Sequence, residues 1–247
     1  MVLNRECNMM ITVSPKLPGE NNKDYAYRVI KDSIMSLELE PGQAISEIEL
    51  AEALRLSRTP IREVLGKLRE EHLVEVIPQV GTYISKIKPQ LLKEASFMRY
   101  ILEKEVLKQA CESFPKTDMY DLKKNVALQE ELIGEKGKER EFHVLDKEFH
   151  HIIFRGNQKE HIWEAIIRIS THYNRMRLLS EIRHSFDEPV KQHQQIVEIL
   201  EQKDCDQVED IVRMHIVEPT KLWTDLYKAD SPYINYFEYV DEKPVFL

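Results

Sequence analysis

The sequence predicts a mainly α protein: an N-terminal winged helix-turn-helix followed by an antiparallel bundle of about six or seven helices. Three observations carry this prediction. Apolar residues recur at helical spacing along most of the 247 residues, strand-like alternation is confined to 74–87, and only seven glycines punctuate the chain. The length suits two ordinary domains, and 42% hydrophobic with 32% charged residues describes a soluble globular protein with a substantial core.

The first helix is expected over 25–37, where Ile30, Ile34 and Leu37 fall on one face, and Pro41-Gly42 breaks it. Ser46 with Glu49 three residues on reads as a capping box. It starts a short second helix with Leu50 and Leu54 inward. Ser57 offers the next N-cap, and Ile61, Val64, Leu65 and Leu68 form the buried face of a third helix. Pro60 is tolerated there because a first-turn N–H is an orphan anyway. Two short helices joined by about three residues make a helix-turn-helix. Val74 and Val76, then Tyr83, Ser85 and Ile87, alternate around Pro78-Gln79-Val80-Gly81 and predict a two-stranded wing.

Charge distribution refines this reading. The net charge is −8, and the acid lies downstream: residues 91–247 carry 23 basic and 30 acidic side chains. Residues 55–69 hold Arg55, Arg58, Arg62, Lys67 and Arg69 against Glu63 alone. Arg58 and Arg62 share an exposed side near the amino end of the third helix, the part of a recognition helix that meets DNA.

Pro41-Gly42, Ser46 to Leu54, the run Ser57-Arg58-Thr59-Pro60-Ile61-Arg62-Glu63-Val64-Leu65 and Gly81 together resemble the GntR family across residues 25–88. The resemblance implies that Arg58, Thr59 and Arg62 contact DNA and that Gly81 lies at the wing tip against the minor groove. It also implies a homodimer on palindromic double-stranded DNA. The chain departs from the family pattern at Ile48, His72 and Val80, which leaves the third helix as the main reader.

From 90 to 228 the pattern is helical, with breaks at Phe114-Pro115, Gly134 to Gly137, Gly156-Asn157, Asp187 to Pro189 and Lys203-Asp204. Asp146 and His150 are i and i+4 on one helix, and His193 and His215 lie on two later helical stretches. One Asp with three imidazoles is a ligand set suited to Zn, Ni, Mn or Fe. Spacing alone does not select these among nine histidines, and His143 shares the phase of Asp146 and His150.

The stretch 146–150 with Gly156-Asn157, Gln192-His193 and Met214-His215 resembles the FCD ligand-binding domain of FadR-type GntR regulators, over about 91–226. The resemblance implies that Asp146, His150, His193 and His215 bind a divalent transition metal. It also implies that Arg99 meets the carboxylate of a small organic acid effector. Arg175 and Arg177 could add charge to that pocket, although a solvated face is the expectation for at least one of them.

The expected divisions are a disordered or loosely packed segment at 1–20, the DNA-binding domain at 21–88, the metal and effector domain at 91–228, and a tail at 229–247. Tyr233, Tyr236, Phe237 and Tyr239 in that tail are expected to fray or to pack on a partner subunit. Cys7, Cys111 and Cys205 form no CxxC pair and read as free thiols. The chain has no apolar window long enough to cross a membrane, and Arg5 and Glu6 interrupt any signal peptide, so a cytoplasmic address is expected. The function expected is a transcription regulator and repressor, not an enzyme. Two alternatives compete: a metal-dependent hydrolase with Glu148 as base, although that residue points off the ligand face, and a DNA-binding protein with a purely structural metal.

Overall fold

The computed structural model describes residues 11–238, which divide into two compact units, one formed by 11–87 with Asn235–Glu238 and one by 88–234. Cys7 and Tyr239 lie outside the described residues.

The first unit is a mainly helical winged helix-turn-helix. Helix α1 spans Asn22–Met35, and its N-cap Asn21 accepts hydrogen bonds from the backbone N–H groups of Lys23 and Asp24. Leu37 is not in the helix as expected. It sits in a left-handed turn at φ 59°, and Leu39 takes the buried place, its N–H reaching the Ser33 carbonyl at 2.9 Å. Residues 11–20 are largely exposed and lie outside any helix, but several of them are tied to the first helix and the turn after it. Arg28 on α1 gathers Ser14 Oγ (2.6 Å), the Pro15 carbonyl (2.9 Å) and Glu20 (2.8 Å), and Thr12 bonds Glu38.

Helix α2 spans Glu47–Leu54 with Ser46 Oγ accepting from Ile48 N–H at 3.2 Å, and α3 spans Arg58–Glu70. Ser57 holds the N-cap position of α3, but its side chain makes no capping bond. Ile30, Ile34, Leu50, Leu54, Ile61, Val64 and Leu68 meet in one core. The wing pairs β2 (Val74–Ile77) with β3 (Gly81–Ile84) and gains a third strand that sequence reading missed, β1 (Ala44–Ile45), in the order β1-β3-β2. Val76 is half exposed, not inward, because the wing extends beyond the core that covers Val74 and Ile84. Past the wing, Ile87 pairs with the returning segment: its N–H donates to the Tyr236 carbonyl at 2.8 Å and its carbonyl accepts from Glu238 N–H at 3.0 Å. The expected tail thus lends Phe237, 4% exposed, to this unit.

The second unit is the helical bundle. Its helices are α4 (Pro89–Glu112), α5 (Lys116–Glu130), α6 (Glu139–Gly156), α7 (Glu160–Ile169), α8 (Thr171–Arg183), α9 (Asp187–Gln202) and α10 (Val208–Val212). The last continues through a π-helical turn, Arg213–Val217, into α11 (Pro219–Leu222). The break at Ser170 between α7 and α8 was not legible, since no Gly or Pro marks it. Leu107, Cys111, Phe149, Ile153, Ile196, Leu200 and Ile211 belong to a shared core. No helix among the described residues is long and apolar enough to cross a membrane.

Gly156 closes α6 with no room for a side chain, because an added Cβ would strike the ring of Phe114. Overpacking costs about 1–3 kcal/mol, against about 1 kcal/mol gained in helix propensity. Gly156→Ala is therefore expected to lower stability by about 1 kcal/mol in urea melts. An unchanged midpoint would show that Phe114 swings aside freely.

Candidate metal centre and DNA interface

Arg58, Thr59 and Arg62 stand exposed on the amino-terminal turns of α3, and Gly81 opens β3 beside Val80 at the exposed tip of the wing. The arginines are not free in solvent. Glu47, at the start of α2, receives Arg62 Nη2 at 2.9 Å and Arg58 Nη2 at 3.4 Å. Arg62 lowers the Glu47 carboxyl below its usual range through these bonds against a smaller cost of burial. Sequence reading missed Glu47: its acidic position in a first turn was visible, but its reach onto α3 is tertiary.

In the second unit, α6 carries Asp146 and His150, α9 carries His193, and the π turn carries His215. All four are buried, and one ligand atom from each lies within 4.8 Å of the other three. The π turn has a cause in the sequence. Pro219 has no N–H to offer the carbonyl of His215 four residues back, and Glu218 N–H bonds Arg213 O at 3.1 Å across the wider turn.

Each imidazole is fixed from behind. Nδ1 of His150 faces Glu103 Oε2 at 2.8 Å, Nδ1 of His193 faces Gln129 Oε1 at 2.7 Å, and Nδ1 of His215 faces Gln192 Oε1 at 2.9 Å. An oxygen acceptor at Nδ1 places the proton there and leaves Nε2 a lone pair. These lone pairs converge. His215 Nε2 lies 3.1 Å from His150 Nε2 and 3.2 Å from His193 Nε2, and Asp146 Oδ1 lies 3.5 Å from His193 Nε2 and 3.9 Å from His150 Nε2. With no proton between them such contacts are repulsive unless a cation sits among them. Imidazole ligands at about 2.0–2.1 Å from one ion stand about 3.0–3.4 Å apart, so the residues fit a divalent metal. His143, which shares the helical phase, instead meets Glu181 at 2.8 Å.

Burial opposes ionisation of Asp146, but Arg177 outweighs it with two bonds of 2.7 and 2.5 Å and holds the carboxyl well below its usual range. Burial likewise works against Glu103, and Arg99 with His150 brings it down to about 2. Burial pushes His193 down to about 3 and His215 well below its ordinary value, more than Asp146 can restore. Unfolded imidazoles take up protons near 6.5, so at lower pH the unfolded chain binds more of them than the folded one. Stability present above pH 6.5 is therefore lost as pH falls. At pH 5 His193 alone is expected to remove about 2 kcal/mol, a fall in Tm of roughly 4–8 °C. Thermal melts in the presence of a chelator read this directly, and a flat profile from pH 7.5 to 5 would contradict it.

A cavity of about 100 Å³ adjoins the cluster, with Arg177, Glu181, His215, Tyr173 and Trp223 among its walls. Of the three arginines expected near an effector, Arg177 faces this cavity. Arg99 is bound to Glu103 at 2.5 Å and stacked over Tyr173, with Nη2 buried and without a hydrogen-bond partner. Arg175 is fully buried and reaches His172 Nδ1 at 3.1 Å. Neither Arg175 nor Arg177 lies on the solvated face expected for one of them. Glu148 is half exposed and pairs with His151, so it supplies no general base to the cluster.

Residues 22–84 match the model of bacterial regulatory proteins of the gntR family, and 94–218 match the FCD domain. The HTH-type transcriptional repressor RspR of Escherichia coli (strain K12) is 29% identical over 227 residues, covering 91% of this chain and 99% of that protein. A regulator from an unstable DNA locus of Streptomyces ambofaciens is 30% identical over 202 residues, covering 80% and 83%. The fold matches that of E. coli McbR/YncC with a TM-score of 0.72 at 17% identity, over 85% of this chain and all of the other.

Proposed function

The chain belongs to the gntR family of DNA-binding transcription regulators with FCD as its effector domain, and from that premise we propose that it is a FadR-type repressor controlled by a small carboxylate beside a divalent metal. The observation that carries this reading is the convergence of three Nε2 lone pairs and Asp146 Oδ1 beside a cavity that Arg177 lines.

The charges around the cluster would favour an anion once a divalent ion is held there. With neutral imidazoles, Asp146, Glu103 and Glu181 outnumber Arg99 and Arg177 by one charge, and a divalent ion reverses that balance. The metal would supply a Lewis-acid position for one effector oxygen. Arg177, which lines the cavity, would meet a second oxygen, while Arg99 Nη2 is a buried donor without a hydrogen-bond partner.

On the DNA side, Arg58, Thr59 and Arg62 read the operator from α3, and Gly81 lets the wing tip approach the backbone. A homodimer presents two such helices to a palindrome. RspR is a repressor, and the same polarity is assigned here. Effector control requires that the acid bind the DNA-competent and DNA-incompetent states unequally.

The test is one set of measurements on the purified protein: metal content, thermal shifts with a panel of small carboxylates, and binding to DNA from its own upstream region. A metal-bearing protein that a carboxylate both stabilises and releases from DNA is the expected result. A second reading, a metal that only staples the bundle, is favoured by the burial of all four ligands. It prevails if chelation lowers Tm while no carboxylate alters DNA binding.

A further inference from the structure

Away from the histidine cluster, the bundle holds one pair of nucleophilic side chains that the proposed function does not use. Cys111 lies fully buried in the last turn of α4, and Cys205 opens the 3-10 turn that follows α9. Both are free thiols, and their sulfurs stand 2.6 Å apart. Non-bonded heavy atoms rest at about 3.5–4.0 Å, so the two are already inside ordinary contact. We propose that Cys111 and Cys205 are a reversible oxidation site that closes to an intramolecular disulfide when the protein meets a hydroperoxide.

Their surroundings divide the work between them. Cys205 is partly exposed, so an oxidant reaches it first, whereas Cys111 is enclosed among Leu107, Ala110 and Ile199 of the shared core. Burial, with Cys205 close by, pushes the Cys111 thiol up to about 12, which makes Cys205 the attacking group.

Cys205 sulfur attacks one oxygen of hydrogen peroxide. The O–O bond breaks, the departing hydroxide takes the thiol proton and leaves as water, and Cys205 becomes a sulfenic acid. Cys111 sulfur then attacks Cys205 sulfur. The S–O bond breaks, and hydroxide leaves with the Cys111 proton as a second water. Two thiols have lost two electrons and the peroxide has gained them. A dithiol reductant reverses the step.

The bond would join positions 94 apart in sequence and pin the end of α4 to the turn that leads into α10 and the π turn of His215. Closing so long a loop restricts the unfolded chain far more than the folded one.

The full-length protein is treated with a few equivalents of hydrogen peroxide, denatured, alkylated with iodoacetamide and mapped by mass spectrometry. The expected result is a linked pair of peptides containing Cys111 and Cys205, two hydrogens lighter than the dithiol, with Cys7 still alkylated. The Tm is expected to rise by roughly 10 °C and to fall back with dithiothreitol. Cys205→Ser, at a partly exposed position, should abolish both effects without harming the fold. Cys111→Ser should leave a sulfenic acid on Cys205 that dimedone traps. Three alkylated thiols after peroxide, a bridge through Cys7, or a Cys205→Ser protein that still gains stability would each overturn the assignment.

Discussion

Replacing His193 by alanine is expected to strip the metal from the protein. Its imidazole is fully buried, stacked on Phe149 with ring centroids 3.9 Å apart, and its Nε2 is close both to His215 and to Asp146. Removing it deletes one of the four proposed ligands and leaves the Gln129 carboxamide facing an empty space. Metal affinity should fall by more than about 100-fold, beyond what is typical for losing a partner behind a ligand. Gln129→Ala, which frees only the Nδ1 side of His193, should cost about 10–100-fold. Competition with a coloured chelator, alongside elemental analysis, separates these cases. His143→Ala is the control, because that side chain belongs to Glu181. A His193→Ala protein that keeps one tightly held ion per chain would remove the metal from the proposed function.

Arg62→Ala is expected to have the largest effect on DNA. A bidentate contact to a base, or a phosphate contact in its place, is worth about 1–3 kcal/mol, and a symmetric dimer loses it twice. The operator affinity should therefore fall by roughly 30- to 20,000-fold at fixed salt. If Arg62 meets a phosphate, the salt slope falls as well and nonspecific DNA suffers equally. If it reads a base, only the operator suffers. Glu47→Gln works in the opposite sense. It releases Arg58 and Arg62 from the carboxylate that pairs with both, and should raise nonspecific binding while narrowing the gap between operator and random DNA. Fluorescence anisotropy with both DNAs at two salt concentrations reads all of these. Wild-type affinity in Arg62→Ala would move the reading surface away from α3.

The features legible in the sequence are those set by local chemistry. Helices α2 and α3 follow from the Ser46 cap, the aliphatic stripe from Ile61 to Leu68 and a first-turn proline. The Asp146–His150 pair follows from helical phase. What escaped depends on residues far apart in sequence. Strand β1 has two residues and exists only because β3 lies beside it. Leu39 displaced Leu37 because the turn after α1 folds back under the core. Phase could not separate His143 from the ligands. The π turn before Pro219 and the acceptors Glu103, Gln129 and Gln192 settle which nitrogens converge. The pairing of Arg99 with Glu103 at i+4 was within reach of spacing rules. It engages Nε of Arg99 with an internal carboxylate and leaves Nη2 without a hydrogen-bond partner.

The return of Asn235–Glu238 to Ile87 changes what counts as a detachable part. In the grammar of domain recombination the effector bundle is not a suffix behind a DNA-binding head. Among the described residues it is an insertion between two pieces of that head, the second only four residues long. A fragment cut at residue 88 would leave the N–H and carbonyl of Ile87 without their backbone partners and would lack the buried Phe237. A chimera that exchanges heads between related regulators must carry this closing segment with the head it was folded against, or the graft begins with an open seam.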